Sequence, residues 1–93
     1  MEQIKIDEGA KINLNYDDPN LPGAVRQFKP VLFRDGDSYC VLLGPDPQEG
    51  VFGCGDSADL AINDWERHFN EVLENPVEGN ETVRYIMDSL NTF

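Results

Sequence analysis

The chain has 93 residues, 40% of them apolar, and carries 18 acidic against 7 basic side chains for a net charge of −11. That length supports one domain with one modest core and leaves no surplus for a second. The excess of carboxylates disfavours binding to nucleic acid or to an anionic membrane, and suits a basic partner.

The charge is uneven. From Gly44 onward eleven acidic residues are set against only Arg67 and Arg84, a net −9, while the first 43 residues carry the remaining −2. Cys40 and Cys54 are too few for a disulfide scaffold and lie in apolar runs, so both are expected as buried, reduced thiols. The opening Met1-Glu2-Gln3-Ile4-Lys5 has neither the basic nor the apolar region of a signal peptide. No apolar run reaches membrane-spanning length. The expectation from these features is a cytoplasmic protein.

Residues 1–27 read as an N-terminal extension. Within it, Ile4 and Ile6 share one strand face and Ile12, Leu14 and Tyr16 another, with a hairpin turn predicted at Glu8-Gly9. The run from Asp17 to Gly23 is dense in turn formers and predicts a loop. A strand is predicted from Phe28 to Arg34, with Pro30 near its start or on a sheet edge because proline has no N–H to donate. The turn Asp35-Gly36-Asp37-Ser38 joins it to a strand from Tyr39 to Leu43. After a second turn region, Gly44 to Gly50, the short strand Val51 to Cys54 is expected to pair back on Tyr39–Leu43 and complete a meander.

A helix from Ala58 to about Leu73 is the clearest element. Ala58, Ala61, Ile62, Trp65, Phe69, Val72 and Leu73 form one apolar stripe, with Trp65 near its middle as the expected anchor on the sheet. Ser57 or Asp56 can cap the first turn, and Asp59 places negative charge at the positive end of the helix dipole. Asp64 with Arg67, and Arg67 with Glu71, are spaced for ion pairs on the outer face. Asn75-Pro76 stops the helix. A last short helix runs from Glu81 to Leu90, capped by Asn80, with Val83, Ile86, Met87 and Leu90 on one side. A helix this short must dock on the body or on a second copy of the chain. The expected class is α+β: an antiparallel meander of three to five strands on one long amphipathic helix, plus a short C-terminal helix. Residues 28–74 form the β-β-β-α core and residues 75–93 a linker and final helix.

No set of residues points to catalysis. His68 is the single histidine, and it falls just outside the apolar stripe as a boundary residue. No serine sits in a nucleophile elbow. A Cys40–His68 pair has no support from spacing, and if the chain were an enzyme, Cys40, Cys54 and His68 would be its reactive groups. The cysteine spacing does not suit zinc, and Asp35-Gly36-Asp37 lacks the further oxygen ligands of a calcium loop. Gly50-Val51-Phe52-Gly53-Cys54-Gly55 precedes a helix, but it lacks the Gly-Lys-Ser/Thr ending of a phosphate cradle, and Asp56 would repel phosphate. Its glycines suit a bulge or a close strand-to-helix turn. No metal or cofactor is expected. One residue breaks the helix pattern: Leu60 lies among Asp64, Arg67 and Glu71, where an apolar side chain on a charged face marks a candidate protein contact. Leu60, Asp64, Arg67 and Glu71 are the candidate partner-contact residues. The alternative for Leu60 is a place under a neighbouring loop.

Residues 29–74 resemble the HicB-like antitoxin domain. Asp35-Gly36-Asp37-Ser38-Tyr39-Cys40-Val41 is similar to that family's acidic-Gly hairpin. Gly44-Pro45-Asp46 falls where the family has its Pro-Asp turn. Gly55-Asp56-Ser57-Ala58-Asp59-Leu60-Ala61 is similar to its helix opening, with Ser57 for the usual Thr and Leu60 for a usual Glu. The resemblance implies a β-meander packed on one helix and a non-enzymatic protein that neutralises a HicA-type RNA endonuclease, a small basic enzyme, by covering its RNA-binding face. Only nineteen residues follow Glu74, fewer than the family's DNA-binding segment needs, so no operator binding is expected. The alternative is an acidic decoy from a phage or mobile element that mimics nucleic acid and blocks a nuclease. A homodimer that covers an edge strand is a further expectation.

Overall fold

The computed structural model describes residues 3–90. Ser38–Leu43 (β3) is an apolar strand that is paired on both sides. Val31–Asp35 (β2) lies antiparallel along one side and Val51–Gly55 (β4) along the other. A two-residue strand, Lys11–Ile12 (β1), adds to β2, so the sheet order is β1-β2-β3-β4. The class is α+β, with helices Gly23–Phe28 (α1), Ala58–Glu74 (α2) and Glu81–Leu90 (α3).

The connection between β2 and β3 is the pair Gly36-Asp37, because Asp35 and Ser38 are already opposite each other. Gly36 sits at φ 62, the sign that a tight hairpin turn requires at its first central position. Pro30 directly precedes β2 and so costs the ladder no donor. The N-terminal region departs from the predicted hairpin. Among its described residues only Lys11 and Ile12 are strand, while Gln3 and Ile4 tie instead to the end of β3. Gln3 Nε2 donates to the Leu42 carbonyl at 3.0 Å, its Oε1 accepts the Gly44 N–H at 2.9 Å, and Ile4 N–H donates to the Gly44 carbonyl at 2.9 Å. The other departure is α1, which takes the end of the predicted loop and the start of the predicted Phe28 strand. It buries Val25 and Phe28 and closes on Lys29 in the left-handed conformation.

Side chains alternate across the sheet. Leu32, Val41, Leu43 and Val51 point towards α2 and share a core with Ala61, Ile62, Trp65, Phe69, Val25, Phe28 and Ile86. Val31, Cys40 and Leu42 are buried on the opposite face. Trp65 anchors α2 as its place in the stripe predicts. It has no exposed surface, its indole N–H donates to the Val51 carbonyl at 3.0 Å, and its ring stacks on Phe69 at 5.2 Å. Ser57 caps α2, with its hydroxyl oxygen accepting the Leu60 N–H, and Asn80 caps α3 by accepting the Val83 N–H. Thr82, Val83 and Ile86 of α3 are buried, and Tyr85 meets Phe28 edge to face. No described helix is long and apolar enough to cross a membrane.

Of the two uses expected for the β4 glycines, the close strand-to-helix approach is the one present: a Cβ on Gly55 would meet Leu60 and Ala61, and no bulge interrupts the register with β3 from Tyr39↔Gly55 to Leu43↔Val51. A Cβ on Gly53 would run into the backbone of Trp65 and Asp64. The cysteines are not reduced thiols. Cys40 and Cys54 face each other across β3 and β4, with Cα atoms 4.1 Å apart, and form a disulfide. A structural disulfide belongs to an oxidising compartment or to the disulfide-rich interiors of some hyperthermophiles, so the cysteines no longer support a reducing cytoplasm.

Stability outcomes follow from these features. Gly53→Ala is expected to cost at least about 3 kcal/mol in urea unfolding, because backbone must move. Gly23→Ala, with nothing within 4 Å of the added methyl, is expected to be neutral or to stabilise by up to about 1 kcal/mol. The Cys40–Cys54 bond closes a short loop, and in the chain-entropy model reduction by dithiothreitol is expected to cost about 3 kcal/mol. A Cys40→Ala/Cys54→Ala protein is expected to unfold at the same urea concentration with or without the reductant.

Candidate interaction surface

Leu60, Asp64, Arg67 and Glu71 recur at helical spacing and so lie along one side of α2. That side borders the outer edge of β4. The link is Asp64, whose Oδ2 accepts the backbone N–H of Cys54 at 3.0 Å. Its other oxygen accepts from Arg67 Nη2 at 2.6 Å and lies 3.5 Å from His68 Nε2. The Cys54 N–H is the main reason that the Asp64 carboxyl is held below the usual carboxylate range. Partial burial opposes this, and Arg67 and His68 add to it. Arg67 is shifted upward in return, first by its hydrogen bond to Asp64.

The four candidate residues therefore differ in role. Asp64 is committed inside the molecule as a tie between helix and strand. Leu60 is 53% exposed and does not tuck under a loop. Arg67 and Glu71 are exposed. Arg67 forms its expected bridge to Asp64, whereas Glu71 acts on Arg67 only as a charge through space.

A groove of about 480 Å³ opens between β4 and the second half of α2, bordered by Pro47, Phe52, His68, Glu71, Val72 and Asn75. Sequence reasoning did not find it. Its signal was a run of non-core residues on one flank of α2, His68, Glu71 and Asn75, whose neighbour could be named only once β4 was placed.

The groups considered for catalysis are not brought together. Cys40 is buried on the sheet face away from α2, which carries His68, and its sulfur is bonded to Cys54. His68 is half-buried beside Asp64. Among the described residues, no group of three or more His, Cys, Asp or Glu side chains could hold a metal ion.

The Asp64 tie gives a pH-dependent outcome. A carboxyl with a depressed pKa in the folded state stabilises the fold above its unfolded value, near 4, and loses that contribution as pH falls through the folded value. Asp64→Asn keeps an oxygen for the Cys54 N–H but removes the charge. It is expected to lower stability by about 1–2 kcal/mol at pH 7. Urea unfolding at a series of pH values is expected to show the gap between the two proteins closing below pH 4 or so.

Comparison of the chain with family models, with curated proteins and with solved structures finds no match.

Proposed function

We propose that this chain is a non-enzymatic, HicB-like interaction module that binds a basic protein, with a HicA-type RNA endonuclease as the partner class. The observation that carries this reading is the charge. The segment from Gly44 onward holds eleven carboxylates against Arg67 and Arg84, and long helix α2 lies within it. Such a surface speeds encounter with a basic partner and disfavours acidic ones. The resemblance of Gly55–Ala61 to the HicB helix opening supports the same reading. Leu60 favours a protein contact over nucleic-acid mimicry. Its exposed apolar side chain stands close to Asp64 and Arg67 in helical register, and a pure charge mimic has no use for it.

The test is inhibition of a HicA-type endonuclease. Added in excess, the protein is expected to suppress RNA cleavage and to form a complex by calorimetry that weakens as salt is raised from low to moderate concentration. Leu60→Ser is expected to weaken that complex by about tenfold. An endonuclease that cleaves at an undiminished rate beside excess protein would rule out this partner class.

A further inference from the structure

The outer edge of β4 has no strand beside it. β4 is a terminal strand and pairs only with β3. In an antiparallel ladder, opposed residues alternate between hydrogen-bonded pairs and closer, non-bonded pairs. The 4.1 Å Cα separation of Cys40 and Cys54 marks a non-bonded pair. The N–H and C=O groups of Cys54, and of Phe52 two residues earlier, therefore point away from β3. The hydrogen bond from Cys54 N–H to Asp64 is independent evidence for that direction. Asp64 thus closes the edge at Cys54, while at Phe52 the edge stays open and faces the groove against α2. Phe52 keeps both a donor and an acceptor there. Gly50, one step earlier, turns its own N–H back to the Asp46 carbonyl at 2.8 Å.

We propose that this edge is a docking site for an extended basic segment of a partner protein, added as a fifth strand beside β4. Recognition of this kind takes its affinity from main-chain hydrogen bonds and its selectivity from alternate side chains. A residue placed opposite Phe52 would exchange both backbone bonds with it. A neighbouring side chain that points into the groove would cross Val72 and end at Glu71. A Lys or Arg fits that path, with an aliphatic stem on apolar surface and a charged head at a carboxylate. Charge complementarity selects this occupant over a second copy of the chain, since pairing two β4 edges would bring together two segments of net charge −9. The choice of a basic occupant rests on the function proposed above, whereas the open edge itself does not.

The test uses the whole isotope-labelled protein and a short acetylated peptide of alternating Thr and Lys. Two control peptides accompany it: an N-methylated twin that lacks alternate N–H groups, and a Thr–Glu version. The Thr–Lys peptide is expected to bind with affinity on the order of millimolar or better and to slow exchange of the Phe52 amide. The N-methylated twin is expected not to bind, and the Thr–Glu peptide to bind at least about tenfold more weakly. Glu71→Lys, a change on an exposed helix face, is expected to reverse the preference between Lys and Glu peptides. An unaltered Phe52 amide at millimolar peptide, equal binding of the N-methylated twin, or a Phe52 amide already protected in a self-associated protein would each overturn the proposal. A basic endonuclease that binds and leaves the Phe52 amide unprotected would overturn this docking mode alone. A peptide that docks at β4, with the endonuclease ignored, would overturn the proposed partner class and leave the edge site standing.

Discussion

The α2 backbone comes so close to β4 that a single methyl group on Gly53 would not fit between them. This contact sets the distance at which the whole helix lies on the sheet. With the gap closed to that degree, Trp65 can bury its ring and still reach the Val51 carbonyl with its indole N–H. Phe69 stacks on Trp65 from one turn further along, Phe28 leans on Phe69, and Tyr85 of α3 meets Phe28. Val25 and Phe28 of α1 and Ile86 of α3 complete the core on this face of the sheet. The same closeness lets a side chain as short as Asp64 reach the Cys54 N–H at the strand's outer edge.

The β3–β4 hairpin is held in two ways. On the face away from α2 the sulfur bridge joins Cys40 to Cys54 directly across the ladder, and at the outer edge Asp64 fastens Cys54 to the helix. Cys54 is therefore fixed through both its side chain and its backbone, whereas Phe52 is held by packing and by the opposite register alone. Terminal strands invite unwanted pairing, and proteins commonly blunt them with charge or with a covering side chain. Here that protection is applied at one end of the strand only, so exposure of the edge is local and short.

Much of this arrangement was legible in the sequence. The 3.6-residue stripe of α2, its Ser57 cap, the Trp65 anchor, α3 with its Asn80 cap, and the hairpin at Gly36 all rest on local signals that tertiary packing reinforces. The short α1 was hidden because Gly23–Phe28 follows a run of turn formers and is too brief for a periodic pattern to show. The N-terminal hairpin failed for the opposite reason: its alternation is real, but Gln3 and Ile4 find partners at Leu42 and Gly44 that no local rule names. The disulfide was within reach. Once Val51 to Cys54 is paired back on Tyr39 to Leu43, the equal steps inward from Leu43 and Val51 place Cys40 opposite Cys54. Composition favours free thiols, but the strand register outweighs it. The role of Asp64 could not be read from spacing, since its partner is a backbone N–H ten residues earlier and its i+3 neighbour Arg67 offered a sufficient local explanation.

Trp65 is the single tryptophan of the chain and is wholly enclosed. Its indole touches β4 at Val51, directly beside the open stretch of edge, and stacks on the helix at Phe69. The protein therefore carries an intrinsic optical reporter at the junction of α2 and the edge strand β4. Emission from that ring is governed by one interface. Loosening of α2 from β4 would move it towards longer wavelength as water reaches the indole, while events confined to β1, the Gly36 turn or the tip of α3 would leave its colour unchanged.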